Sequence, residues 1–594
     1  MTRQNVEKLQ IKERINVPRM KLCAVLVCAL AAVAAHHHKD HHGHTHEVTE
    51  SPSAGSAAPL TVSPSGQFRG SWMASRRGRR FQAYRGIRYA EPPVGELRFQ
   101  PPKLITKYSG EVDASQEGPA CPQPVIDNYP VHEDCLRLNV YRPDGKHVKD
   151  LPVVVFMHAG GFYTVSGRSD VAGPHYLLDR DVVLVTINYR LGSLGFLSTG
   201  DKYAPGNNGF KDQVMALRWV QRNIAAFGGD PSLVTISGYS AGSFSVMLHT
   251  ISPMSRGLFH RAISMSGSPI SQIEIPRHQR HLAEKQAELL NCTTASSQAL
   301  IACLQTKTSK EIGDSLDKMF EFNYDPVLLW VPIHERDFGQ EMFLPRQPLV
   351  ALCGGDLAPV PYIVSQTQDE FFWKAFSVLN DQGALLSWNN DFSGFANIAF
   401  YLGNDSSGRL ADSLKAAYFP SADARLLNNS ATADALGKLY SDAIIGFGAH
   451  RLVNLLSRHS KHPVYYYEFG YVGNSSHYVD PVTNKPTAAA HHDDLLYLFN
   501  VSASFPAIPP GDTHDSHMVD KMTALFYNFA RYGDPNPRPD TPELRGLSWP
   551  QFTAPVRQYL RVDDPFSVHT RLFEDRFKVW EDLFPIDYQT CKQK

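Results

Sequence analysis

The chain has 594 residues, 43% of them apolar and 11% aromatic, enough for a large buried core. Its formal net charge of -1 lacks the basic excess that nucleic-acid binding needs, which excludes that class of partner. Beyond residue 35 no apolar run reaches the length a bilayer requires, so no membrane span is expected in the mature chain.

Residues 1–19 are polar and charged. Met20-Lys21 then leads into an apolar run from Leu22 to Ala35 that ends in small residues. That order describes a secretory signal peptide over residues 1–35, with Met20 as an alternative start. The seven histidines of residues 36–46 are metal-binding side chains, but the tract has no fixed geometry and reads as a solvated tail. With the Ser/Pro-rich stretch that follows, it makes residues 36–66 a flexible tether. Arg76-Arg77-Gly78-Arg79-Arg80 sits between two extended runs and reads as a charged hairpin tip. A processing site or a polyanion contact is the alternative.

From Gln67 to Lys594 there is no linker and no internal repeat, which predicts one domain over 67–594. Apolar runs at 151–158, 181–189, 233–237 and 260–267 alternate with helical patterns such as 213–227. Continuous Val/Ile/Leu runs of this kind predict an α/β fold whose central sheet is mostly parallel and covered on both faces by helices.

Eight cysteines are present, of which Cys23 and Cys28 fall in the signal segment. Cys121 and Cys135 are close enough to be bridged, as are Cys292 and Cys303, in a chain expected to meet an oxidising compartment. Cys353 reads as a small buried hydrophobe, and Cys591 as a free thiol or a link to another chain. Glycosylation sequons occur at Asn291, Asn404, Asn428, Asn474 and Asn500.

The chemistry centres on Gly238-Tyr239-Ser240-Ala241-Gly242, a G-x-S-x-G between a β-branched run and a helix-compatible one. A sharp strand-to-helix turn there would lift a serine oxygen clear of the backbone, where a base could activate it. Upstream, the run VVVFM meets His158-Ala159-Gly160-Gly161, whose amides would be free to point into a site as oxyanion donors beside that of Ala241. The acid is open between Asp369 and Glu370, which follow a strand-like VPYIV. The base falls in the tract His491-His492-Asp493-Asp494.

These pieces resemble the type-B carboxylesterase/cholinesterase family of α/β-hydrolases. The resemblance spans about residues 67–584 and rests on YRGIRYAEPPVGELRF (84–99), EDCLRLNVY (133–141), HAGGFY (158–163) and NYRLGSLGFL (188–197). GNNGFKDQVMALRWVQRNIAAFGGDP (206–231), GYSAG (238–242), AISMSGSP (262–269), QDE (368–370) and HHDDLLYLF (491–499) complete it. It implies Ser240 as nucleophile, Glu370 as acid, His491 as base, and Ser266 as a serine beside them. It also implies Gly160, Gly161 and Ala241 as oxyanion donors, pairs Cys121 with Cys135 and Cys292 with Cys303, and requires no metal or organic cofactor.

Four departures bear on function. Tyr239 stands where an acidic residue often precedes the nucleophile, and the Cys121–Cys135 loop has no tryptophan. Together these remove the anion and the aromatic platform that attract quaternary ammonium, which argues against a choline ester. Ala159 replaces the first glycine of the oxyanion loop, and His492 the glycine that usually follows the base. Phe162, Tyr163, Trp330 and Phe371 are candidates for lining an apolar pocket or belong to the core. The expectation is a secreted serine carboxylesterase acting on uncharged small-molecule esters. The alternative is a non-catalytic adhesion or binding protein on the same fold, but such relatives lose the nucleophile or the histidine and carry a span after the domain. This chain keeps all three positions and ends in polar DYQTCKQK.

Overall fold

The computed structural model describes residues 57–124, 130–145, 149–403, 405–420 and 424–586. The signal segment, the histidine tract, Cys591 and Asn404 lie outside them.

The apolar runs become strands, as their patterning predicts. The run at 151–158 forms β7 (Leu151–Met157), 181–189 forms β8 (Val183–Ile187), 233–237 lies within β9 (Gly229–Tyr239) and 260–267 gives β10 (Arg261–Met265). Downstream follow β11 (Tyr362–Thr367), β12 (Val464–Phe469), β13 (Gln558–Val562) and β14 (Ser567–Thr570). Upstream are β3 (Ser71–Ala74), β4 (Arg80–Arg88) and β6 (Arg137–Pro143). These form one 11-stranded sheet in the order β14-β13-β12-β11-β10-β9-β7-β8-β6-β4-β3. From β8 to β13 every pairing is parallel, and antiparallel pairings close both edges. The sheet is mostly parallel, as predicted.

Every residue of β7, β8, β11 and β12 is buried. Along β7, Val153, Val155 and Met157 enter one apolar cluster, whereas Val154 and Phe156 enter another. The strand period of two thus feeds two cores, one on each face, and each buried Val, Ile, Leu or Phe contributes about 1.5–3 kcal/mol. The Asn208–Asn223 helix, longer than the 213–227 pattern at its start, closes one face with Phe210, Val214, Leu217 and Val220. The His514–Tyr532 helix closes the other with Met518, Met522, Leu525 and Phe529.

Two expectations change. A three-stranded sheet of β1 (Leu60–Ser63), β2 (Gly66–Arg69) and β5 (Glu111–Asp113) begins inside the stretch read as tether. Its first strand pairs with its neighbour from Leu60↔Arg69 to Ser63↔Gly66. The ordered domain therefore starts before Gln67: backbone pairing to β2 organises a four-residue segment, Leu60-Thr61-Val62-Ser63, that is too short to signal itself. Cys353 is also not the free buried thiol expected, because it is disulfide-bonded. Cys121–Cys135 and Cys292–Cys303 are both bridged, at S–S distances of 2.03 and 2.02 Å.

The arginine cluster forms the tip of the β3–β4 hairpin. Gly78 turns the chain at φ 79°, with its amide donating to Ser75 O at 2.9 Å. Arg76 and Arg77 pair with Asp520, Arg79 with Asp181 and Arg80 with Asp144, and Arg80 also lies 4.1 Å over the Trp72 ring. With each guanidinium matched to a carboxylate, the hairpin reading stands and the polyanion contact has no unpaired charge to recommend it.

Charge is also buried deep in the fold. Arg190, just after β8, makes two bonds to Asp212 at 2.8 and 2.7 Å, with side chains 2% and 0% exposed. Removing one partner strands the other in low dielectric, so Asp212→Ala should lose about 3–5 kcal/mol of stability. Urea unfolding of the two proteins checks this; a difference below about 1 kcal/mol would contradict it.

Candidate active site

β9 ends at Tyr239 and the Ala241–Ile251 helix begins two residues later, leaving Ser240 alone at the turn. Its φ of 54° and ψ of -116° suit neither element, a conformation that costs a β-carbon-bearing residue about 1–3 kcal/mol. The glycines on either side explain how the turn closes. A β-carbon on Gly238 would lie 2.3 Å from the Gly242 carbonyl oxygen, and one on Gly242 only 2.0 Å from that of Met157. The elbow therefore folds onto itself and onto the end of β7 with no room for a side chain. The Ser240 amide donates to Met265 O at 2.9 Å, extending the β9–β10 register by one residue.

The end of β7 supplies the second element. After His158 and Ala159 the chain turns through Gly160 at φ 104° and Gly161 at φ 58°. A β-carbon on Gly160 would meet Thr164 O at 2.2 Å, and one on Gly161 the Tyr163 ring at 2.4 Å. The turn is held by the Tyr163 and Thr164 amides, which donate to Gly160 O at 2.9 and 3.0 Å, so its own bonds do not use the two glycine amides. Ala241 is the first residue of its helix, where an amide has no intrahelical acceptor.

Glu370 and His491 meet 121 residues apart in sequence. His491 Nδ1 is 2.5 Å from Glu370 Oε2, with side chains 4% and 1% exposed. The other oxygen, Oε1, accepts the Thr367 amide at 2.7 Å, which fixes the carboxylate. Main-chain bonds sew the two loops together: Asp369 N donates to Ala489 O at 3.1 Å and His491 N to Glu370 O at 3.0 Å. Phe371 packs its ring 4.4 Å from the His491 ring. A carboxylate only accepts, so Nδ1 carries the imidazole proton and Nε2 presents its lone pair. Among the described residues that buried Nε2 has no hydrogen-bond partner.

The geometry also separates the neighbours that sequence left open. The Asp369 carboxylate accepts from Gln368 and faces the Arg576 charge, not His491. The His492 ring packs 4.3 Å from that of His491, but burial holds it well below the usual imidazole range and no carboxylate among the described residues pairs with it. Ser266 follows β10 at φ 51°, and its buried hydroxyl faces the Tyr239 phenol. Phe162 is core, ringed by Phe196, Phe210 and Phe244. Tyr163 and Trp330 belong to the same core and border a void of about 20 Å³ with Gln123, Leu191, Ser193 and Leu316.

Sequence reasoning missed two carboxyls of the histidine tract. Asp493 staples the loop that carries His491, accepting the Ala490 amide at 2.9 Å, the His477 amide at 2.7 Å and the Ser476 hydroxyl at 2.6 Å. Asp494 is fully buried and accepts the Tyr467 hydroxyl at 3.0 Å; burial, then the Glu370 charge, push its carboxyl up to about 8. Their adjacency to His491 was the available signal. Lys374, also fully buried, pairs with Asp325 at 3.0 Å and donates to Asn323 O at 2.6 Å, pinning the segment after Glu370. No helix of the described residues is long and apolar enough to cross a membrane, and those residues hold no cluster of three or more metal-ligating side chains.

A family model described as "Carboxylesterase family" matches residues 57–580. The chain is 34% identical to juvenile hormone esterase of Tribolium castaneum over 529 residues, covering 86% of this chain and 89% of that protein. It is 36% identical to esterase FE4 of Myzus persicae over 502 residues, 81% and 86% of the two chains. The crystal structure of juvenile hormone esterase from Manduca sexta, with OTFP covalently attached, superposes with a TM-score of 0.77 at 27% identity. It covers 89% of this chain and 100% of that one. The chain belongs to the carboxylesterase family, on the carboxylesterase rather than the cholinesterase side, and is an ester hydrolase with the α/β-hydrolase fold.

Proposed function

We propose that the protein is a secreted serine carboxylesterase that hydrolyses uncharged carboxylic esters through an acyl-enzyme on Ser240. The Ser240 hydroxyl attacks the ester carbonyl while His491 Nε2 takes its proton. The amides of Gly160, Gly161 and Ala241 donate to the oxyanion of the tetrahedral intermediate. His491 then returns the proton to the leaving alcohol, and water, activated by the same imidazole, releases the acid. Glu370 holds the tautomer and stabilises the imidazolium that forms.

The observation that carries this reading is the buried His491 imidazole: one nitrogen is committed to Glu370, and the other has no partner among the described residues. The strained turn at Ser240 and the paired glycines at the end of β7 support it. Secretion is supported by the run Leu22–Ala35 and by cystine bridges of the kind an oxidising compartment sustains. Asn291, Asn428 and Asn474 are exposed and suit glycosylation, whereas Asn500 is only half-exposed.

Hydrolysis of a short-chain p-nitrophenyl ester by the secreted protein should fall by about 10⁴-fold or more in Ser240→Ala. A wild type as inert as that variant, and unlabelled by an organophosphate, would sink the reading. With Tyr239 in place of an acid before the serine, a thiocholine ester should show a lower kcat/KM than a neutral phenyl ester of the same acid.

Asp494 makes a pH prediction. Folded, its carboxyl titrates at about 8, against 3.8 for a free aspartate, so between those values the folded chain keeps a proton the unfolded chain has lost. Stability therefore declines as pH rises from about 4 to about 8. Asp494→Asn, which does not titrate, should gain in Tm relative to wild type from pH 5 to pH 8 and then level off. An equal Tm difference at both pH values would mean that Asp494 is ionised in the fold.

A further inference from the structure

Tyr239 and His492, the two departures that flank the serine and the histidine of the proposed reaction, touch each other. The His492 amide donates to the Tyr239 phenol oxygen at 2.8 Å across 253 residues of sequence. The Tyr239 ring lies 5.0 Å from the His491 ring and 4.8 Å from that of His492. Tyr239 is itself fully buried, the last residue of β9 and paired with Met265 of β10, so its backbone is fixed by the centre of the sheet.

His492 is the less settled partner. Its φ of 82° is a conformation that glycine adopts freely and a residue with a β-carbon does not. The loop holds it there with the phenol on one side and the Leu495 amide on the other, which donates to His492 O at 3.1 Å. The polar groups facing the phenol come from separate elements. They are the His492 amide, the Ser266 hydroxyl after β10, the Asp494 carboxyl, and the Glu370 charge after β11. Asp494 is also held by Tyr467 of β12.

We infer that Tyr239 is a positioning residue for the hydrolysis. Its phenol oxygen ties the loop that presents His491 to the strand that presents Ser240, and so sets the reach of the base to the nucleophile. This inference rests on the Ser240–His491 reading above. Ser240 and His491 belong to segments joined only by tertiary contacts, and a misplacement of about 1 Å between reacting groups costs about 10²-fold in rate. Removing the phenol oxygen takes the acceptor from a half-buried amide of the loop that carries His491 and frees that loop from β9.

The test is Tyr239→Phe, which keeps the ring and its packing, assayed on a neutral p-nitrophenyl ester. Organophosphate titration of active sites should accompany it, so that rates refer to folded enzyme. We expect kcat per titrated site to fall about 10- to 100-fold, KM to stay within about threefold, and organophosphate to react with Ser240 more slowly by a similar factor. His492→Gly keeps the amide and should retain at least about a third of wild-type kcat. A purely structural tyrosine would lower the number of titratable sites and leave the rate per site unchanged. That outcome, or wild-type labelling kinetics in Tyr239→Phe, overturns the inference. The two readings fail separately. An active Ser240→Ala removes the hydrolytic mechanism, whereas an inactive Ser240→Ala beside an undiminished Tyr239→Phe removes only the positioning role.

Discussion

The site depends on one steric constraint: the α-carbon of Gly242 rests against the carbonyl of Met157, with 2.0 Å where a β-carbon would sit. That contact brings the ends of β7 and β9 together, so the turn carrying Ser240 and the turn carrying Gly160 and Gly161 share one end of the sheet. In a parallel sheet every strand finishes on the same edge, and that edge is where ligands bind in α/β folds. β11 delivers Glu370 to it as well. The cores on the two faces of the sheet make that edge a rigid platform; the chemistry is set by what leaves the strands.

The segments that leave them are pinned by charge as much as by apolar contact. Arg190 with Asp212, Lys211 with Glu335 and Lys374 with Asp325 are all ion pairs with almost no exposure. Such pairs add little net stability over apolar residues of the same size, because both ions must be desolvated. They are intolerant of displacement, however, since a charge that slips out of register has no water to fall back on. Loops held this way keep one arrangement.

Legibility in the sequence followed the range of the interaction. The turn at Ser240 and the glycines at 160 and 161 were readable because their close contacts, Gly238 with Gly242, Gly160 with Thr164 and Gly161 with Tyr163, are local; the contact of Gly242 with Met157 was not legible. Strands β7 to β10 were readable because burial on both faces demands unbroken apolar runs. Glu370 could not be told from Asp369 by residues alone, since neighbouring carboxylates on an extended segment differ only in the side they face. The pairing of Asp369 with the 489–490 backbone decides that, and it is a long-range fact. β1 was invisible because pairing to β2, not composition, makes Leu60–Ser63 a strand. The cystine at Cys353 and the role of Asp494 were hidden for the same reason.

The arginine-rich hairpin has a consequence for handling by proteases. Read as a string, Arg76 to Arg80 is an invitation to any enzyme that cuts after basic residues. In the folded chain Arg76 is sequestered at 2% side-chain exposure, its neighbours are each clasped by an aspartate, and the backbone is bent around Gly78 between paired strands. A protease needs several residues extended in its cleft, so cutting there requires the hairpin to detach first. Nicking at this point would therefore act as a clock on local opening, marking chains that have not folded and sparing those that have.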